Sequence, residues 1–97
     1  MAYDEFARIY GPPQGTFDAD WVTRLVLQRR PHLGEQVAGR LVSHTWRHLW
    51  ASPQLSCADL VGYLALDEPG LPDADLEAAV QAAVDFCDAY AVEPPRP

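Results

Sequence analysis

Residues 34–50 read GEQVAGRLVSHTWRHLW, and the reading of this stretch decides the fold. Turned at about 100° per residue, Val37, Ala38, Leu41, Val42, Thr45 and Leu49 gather on one broad face, while Gln36, Arg40, Ser43 and Arg47 gather opposite. That is the pattern of a helix with one side in a core. Trp46 and Trp50 stand four apart along one flank with Gly39 farther back, so the flank is a ridge with a notch. Two roles suit it. Gly39 can admit a neighbouring helix whose crossing the indoles seal, because large aromatics dominate core area. Alternatively Trp50 and part of Trp46 stay outside as an anchor beside Arg40 and Arg47, since Trp and Arg dominate binding energy at interfaces.

Outward from this helix the same three-and-four rhythm recurs. Trp21, Val22, Leu25 and Val26 form a stripe behind Asp18, a good N-cap, and the stripe ends before Pro31. Arg29 falls on that apolar side, so its guanidinium must reach past the core edge or meet a carboxylate there. The short link His32–Gly34 makes this helix and the central one antiparallel neighbours. Further on, Ser56 and Asp59 form a weakened capping box ahead of Cys57, Leu60, Val61 and Leu64. Residues 67–72 hold Pro69, Gly70 and Pro72 and read as a turn. Asp73 then caps a last helix striped by Leu76, Val80, Ala83, Cys87 and Tyr90, whose other side carries Asp75, Gln81, Asp85 and Asp88 and reads as solvated and negative. Toward the N-terminus Tyr3, Phe6, Ala7 and Tyr10 mark a short helix stopped by Gly11, Pro12 and Pro13. The expected fold is therefore all-α: a compact bundle of four helices at about 19–30, 34–50, 56–66 and 73–91, with a short N-terminal helix at about 3–10. One domain spans residues 1–97, ending in a frayed Pro-rich tail at 92–97.

Composition narrows the function classes. The formal net charge is −7, which disfavours general affinity for nucleic acid. The charge is segregated: residues 1–20 carry −3, residues 21–58 carry +4 and residues 59–97 carry −8. Either these segments neutralise one another in the fold, or an acidic face stays free to dock on a basic partner. All seven cations are Arg, which removes lysine chemistry. No apolar run reaches the roughly 18 residues of a membrane span, and the stretch MAYDEFARIYG has no signal-like apolar core, so a cytoplasmic protein is expected. In that compartment Cys57 and Cys87, both on apolar stripes, are expected as buried thiols.

Reactive constellations are sparse. His44 and His48 lie one helical turn apart, a spacing used for zinc, but a third ligand would have to come from Cys57, Glu35 or a distant carboxylate. His48 is better placed at the core edge with a hydrogen-bond partner, and His44 at the surface beside Arg40 or Arg47. Ser43 adjoins His44 in sequence, yet helix neighbours point about 100° apart and do not face each other. Neither a catalytic residue nor a cofactor or metal is assigned. Leu55–Leu66 followed by the helix from Asp73 reads like a helix-turn-helix, although the link is long and the second helix opens with Asp73, Asp75 and Glu77. A weak DNA-binding regulator would have to use the arginines of residues 24–47 instead.

Residues 58–90 carry Ala58-Asp59-Leu60, Tyr63-Leu64, Asp73-Ala74-Asp75-Leu76, Ala82-Ala83 and Tyr90. They resemble the helix pair that opens the head–tail connector proteins of tailed phages. The resemblance covers one third of the chain, places the pair at the end instead of the beginning, and implies a ring-forming structural adaptor. The reading that fits all these features is a small acidic non-enzymatic protein working by protein–protein recognition, as adaptor, assembly piece or inhibitor. Its candidate partner-binding residues are Trp46, Trp50, Arg40 and Arg47 on one surface and Asp75, Asp85 and Asp88 on the other.

Overall fold

The structure, a computed structural model, describes residues 18–52 and 54–90, and of Trp50 and Tyr90 the backbone alone. The short helix expected at 3–10 and the tail at 92–97 lie outside the described residues. Four α-helices follow in order: α1 (Ala19–Arg29), α2 (Glu35–Ala51), α3 (Cys57–Asp67) and α4 (Asp73–Tyr90), with one 3-10 turn, Pro31–Leu33, between the first two. The fold is the all-α bundle, and no strand occurs among the described residues.

Each helix begins and ends for local chemical reasons. Asp18 accepts the Trp21 amide at 3.0 Å and so satisfies one of the donors orphaned at the start of α1. Pro31 has no amide to continue that helix, and Gly34 takes φ +79, a left-handed value that strains other residues. The Gly34 carbonyl then accepts from Ala38 at 3.1 Å and starts α2. Ser56 accepts the Asp59 amide at 3.1 Å, one half of a capping box. The last helix differs from expectation by one residue. Asp73 is its first member instead of its cap, and the Pro72 carbonyl receives the first amides, from Asp75 at 3.0 Å and Leu76 at 3.4 Å.

The bundle measures 35 × 34 × 19 Å, flatter in one direction than in the other two. Helices α2 and α4 pack on each other and on both remaining helices, whereas α1 and α3 have little contact with each other. The core combines Trp21, Val22, Leu25 and Val26 of α1 with Ala38, Leu41, Val42 and Leu49 of α2, then Leu60 and Leu64 of α3 and six residues of α4. Thr45 is buried with them, and its hydroxyl donates to the Leu41 carbonyl at 2.7 Å, which removes the cost of a dry polar group. Trp21 and Phe86 meet with ring centroids 5.2 Å apart at 55°, a tilted contact between α1 and α4.

Three expectations are corrected here. The buried face of α4 is Leu76, Ala79, Val80, Ala82, Ala83 and Phe86, wider than the stripe through Cys87, because α4 is enclosed by three helices. Cys57 is exposed and Cys87 half-buried, since the first turn of α3 projects past the core. Among the described residues no neighbouring helix uses Gly39 for close approach: a methyl group there would meet nothing within 4 Å.

The largest correction concerns Asp75. On the wheel it belongs to the solvated acidic side of α4, but it is 2% exposed. Arg30 reaches it at 2.8 Å and the His32 ring nitrogen at 3.0 Å, so the turn between α1 and α2 folds over the first turn of α4 and seals the carboxylate. Asp75 is a fastening inside the molecule and is unavailable to a partner. Replacing it by Ala leaves Arg30 and His32 without their shared acceptor. Urea denaturation of Asp75→Ala is therefore expected to show a loss of about 1–3 kcal/mol, the range for unmaking such a buried polar contact. An unchanged midpoint would return Asp75 to the surface.

Candidate functional site

The third helix contributes least to the core and most to the surface. Of its eleven residues only Leu60 and Leu64 are buried, yet its composition is apolar nearly all round, with Asp59 and Asp67 its only charges. A helix hydrophobic on every side is ordinarily enclosed. Here the outward side is open, with Tyr63 44% and Leu66 78% exposed beside Ala58 and Gly62. These four and Asp59 rim a shallow hollow of about 240 Å³, floored where Gly62 lacks a side chain. Sequence reasoning placed α3 correctly and missed its outer face. The available signal was that CADLVGYLALD has more apolar residues than one core-facing stripe can use.

At the C-terminal end of this face, α2 supplies a charged cluster. Arg40 clasps Glu68 with two bonds, from Nε at 3.3 Å and Nη2 at 3.2 Å. The Asp67 carboxylate can only accept, so His48 Nε2 donates to its Oδ2 at 2.8 Å. The His48 ring stacks on Tyr63, centroids 5.0 Å apart and 21° from parallel. Arg47 is a pure donor, so its bond of 2.7 Å to His44 Nδ1 leaves the His44 ring proton on Nε2, which stands 3.4 Å from Glu68 Oε2. Thus both histidines that suggested zinc have ring nitrogens committed to protein partners. Among the described residues no three of His, Cys, Asp and Glu converge as a metal set.

The remaining sequence-derived candidates are dispersed. Arg47 is 62% exposed and 3.8 Å from Asp67, which makes it the open end of the cluster. Trp46 is half-buried against the core, so it serves as packing at least as much as anchor. The side chain of Trp50 lies outside the described residues. Asp85 is half-buried, 3.0 Å from Arg29, which answers where that arginine finds its carboxylate. Burial pushes the Asp85 carboxyl above the ordinary range, with the neighbouring Asp88 carboxylate as a second cause, and burial pushes Arg29 down. Asp88 itself is exposed. The structure thus does not assemble Asp75, Asp85 and Asp88 into one free acidic face.

Four arginines of the basic middle segment now have acidic partners from the C-terminal third: Arg29 with Asp85, Arg30 with Asp75, Arg40 with Glu68 and Arg47 with Asp67. The segregated charge of the sequence is in large part neutralised inside one molecule. No protein-family model, no curated protein and no solved structure matches this chain. No helix among the described residues is long and apolar enough to cross a membrane.

The cluster has a pH signature. The hydrogen bond from His48 holds the Asp67 carboxyl below its usual range, and the bonds from Arg40 do the same for Glu68, with burial opposing in both cases. A depressed folded-state value means stability that is present above the unfolded-state values, about 4 for these side chains, and lost as pH falls through the folded values. Urea midpoints should therefore drop from about pH 5 downward, and Asp67→Asn should flatten part of that acid limb. An identical slope in the variant would deny Asp67 this role.

Proposed function

We propose that the protein acts by recognising another protein chain through the outer face of α3 and the adjoining Arg47 end of α2. The observation that carries this is the exposed Tyr63 and Leu66 beside the hollow at Gly62, on a helix with one charge on that side. Apolar surface that is contiguous, as around this hollow, and not scattered singly is what marks a contact site between macromolecules. The stacked, hydrogen-bonded His48 holds the Tyr63 ring in place. Such preorganisation reduces the entropy lost on binding. Arg47 at the rim supplies orientation more than affinity.

This reading keeps Arg40, Arg47 and Trp46 at or near the surface used and assigns no part to Asp75. Asp88 remains exposed and lines a different hollow, with Leu49, Leu55, Val84 and Cys87, that does not include Tyr63 or Leu66. The helix pair that resembles phage connectors is formed by α3 and α4 in contact. Two packed amphipathic helices recur in many bundles and carry no function by themselves.

A photo-crosslinking residue at position 66, introduced in the cell of origin, should give discrete protein adducts. The same residue at Gln28, exposed on α1 away from α3, serves as the background. Adducts no stronger from position 66 than from position 28 would overturn the proposal.

The rival DNA-binding reading loses support from the ion pairs, because arginines already bound to carboxylates neutralise phosphates poorly. The α3–α4 link, residues 68–72, also exceeds the three or four residues of a helix-turn-helix. Duplex DNA at low ionic strength should migrate unshifted with this protein. Retardation abolished by Arg40→Ala with Arg47→Ala would restore the rival.

A further inference from the structure

We infer that the occupant of the α3 face is a second copy of this chain, its own α3 lying antiparallel across the first about a two-fold axis. This rests on the reading of that face as a recognition surface and goes further by naming what covers it. A two-fold contact requires one patch to carry both halves of its own complement. The α3 face does. Leu66 is a protruding knob, 78% exposed, and one helical turn before it Gly62 opens a hollow rimmed by Ala58, Asp59 and Tyr63. Reversing one helix against the other seats Leu66 of each copy over Gly62 of its mate.

Charge follows the same symmetry. Asp59, exposed, marks the N-terminal end of the face, and the exposed Arg47 guanidinium marks the C-terminal end. Arg47 already lies 3.8 Å from Asp67 of its own chain, so in an antiparallel crossing each Asp59 adds a second carboxylate to that exposed guanidinium, whereas a parallel crossing would set Asp59 against Asp59. Gly62 and Ala58 allow the helix axes to approach closely. At Gly62 an added methyl meets nothing within 4 Å, so among the described residues the space there is unused.

Size sets the strength. Eleven residues of helix span about 16 Å, a face well below the roughly 800 Å² per partner of a standard stable interface. Repulsion between two chains of net charge −7 opposes association further, until salt screens it. The pairing is accordingly weak and concentration-dependent, a dimer that forms where the protein is abundant or held locally.

Sedimentation equilibrium of the whole chain, from micromolar to near-millimolar concentration, tests this. The wild type should pass from monomer to dimer. Leu66→Glu, which puts a carboxylate into the hollow, and Gly62→Leu, which fills it, should each shift that transition at least tenfold toward higher concentration. Helical circular dichroism should be preserved in both, because neither site is in the core. Asp59→Arg should weaken the dimer, and adding Arg47→Asp should recover part of it. A dimer equally strong in wild type and Leu66→Glu would place the contact elsewhere and overturn the inference. A wild type monomeric at every concentration would overturn it too. The crosslinks from position 66 then separate the two readings: adducts with a different protein leave the recognition surface standing without self-pairing, and no adducts remove both.

Discussion

In a chain with a cationic middle and an anionic C-terminal third, packing the helices on one apolar core brings those charges onto each other and sets how the helices lie. Burying the apolar faces of α1, α2 and α4 brings Arg29 and Arg30 to the seams, where an unpaired cation would be costly, while Arg40 and Arg47 stay exposed at the edge. Carboxylates from the last third meet them there. The contact on which most depends is Asp75, because one buried carboxylate takes both Arg30 and His32 and so fixes the turn between the first two helices against the start of the last.

These pairs differ in what they contribute. Arg29 and Asp85 are both partly desolvated, and burial moves each away from its charged form, which offsets much of the Coulomb attraction. Their use is to set how α1 lies along α4 more than to deepen the energy of the fold. Arg40 with Glu68 is more exposed and geometrically better, a two-bond clasp, and pairs of that kind contribute about 0–1 kcal/mol in water. The apolar core around Phe86, Leu25 and Leu41 supplies the cohesion.

Function, on this view, comes from what packing leaves over. Helix α3 offers two side chains to the core and keeps the rest of an apolar surface outside. The adjacent end of α2 spends its histidines in holding Tyr63 and Asp67 in place, so residues that suggested metal chemistry in isolation become supports for a surface. The consequence is a small face with a knob and a hollow, Asp59 at one end and the Arg47–Asp67 pair at the other, which is the surface proposed above for recognition.

The sequence by itself determined the number and type of the described helices, their limits to within a residue or two, and most of the core. The reason is that helix periodicity, Asp18, Ser56, Pro31 and Gly34 act locally, through hydrogen bonds and backbone angles spanning a few residues. Tertiary structure alone decided which polar groups are sealed and which apolar ones stay out. A helical wheel places Asp75 among the solvated residues because it knows nothing of Arg30 arriving from 45 positions away. It places Cys57 inside because a stripe does not reveal where the neighbouring helices stop. Exposure of Leu66 has the same origin: α2 and α4 pack on α3 where Leu60 and Leu64 are buried, and no helix among the described residues covers Leu66.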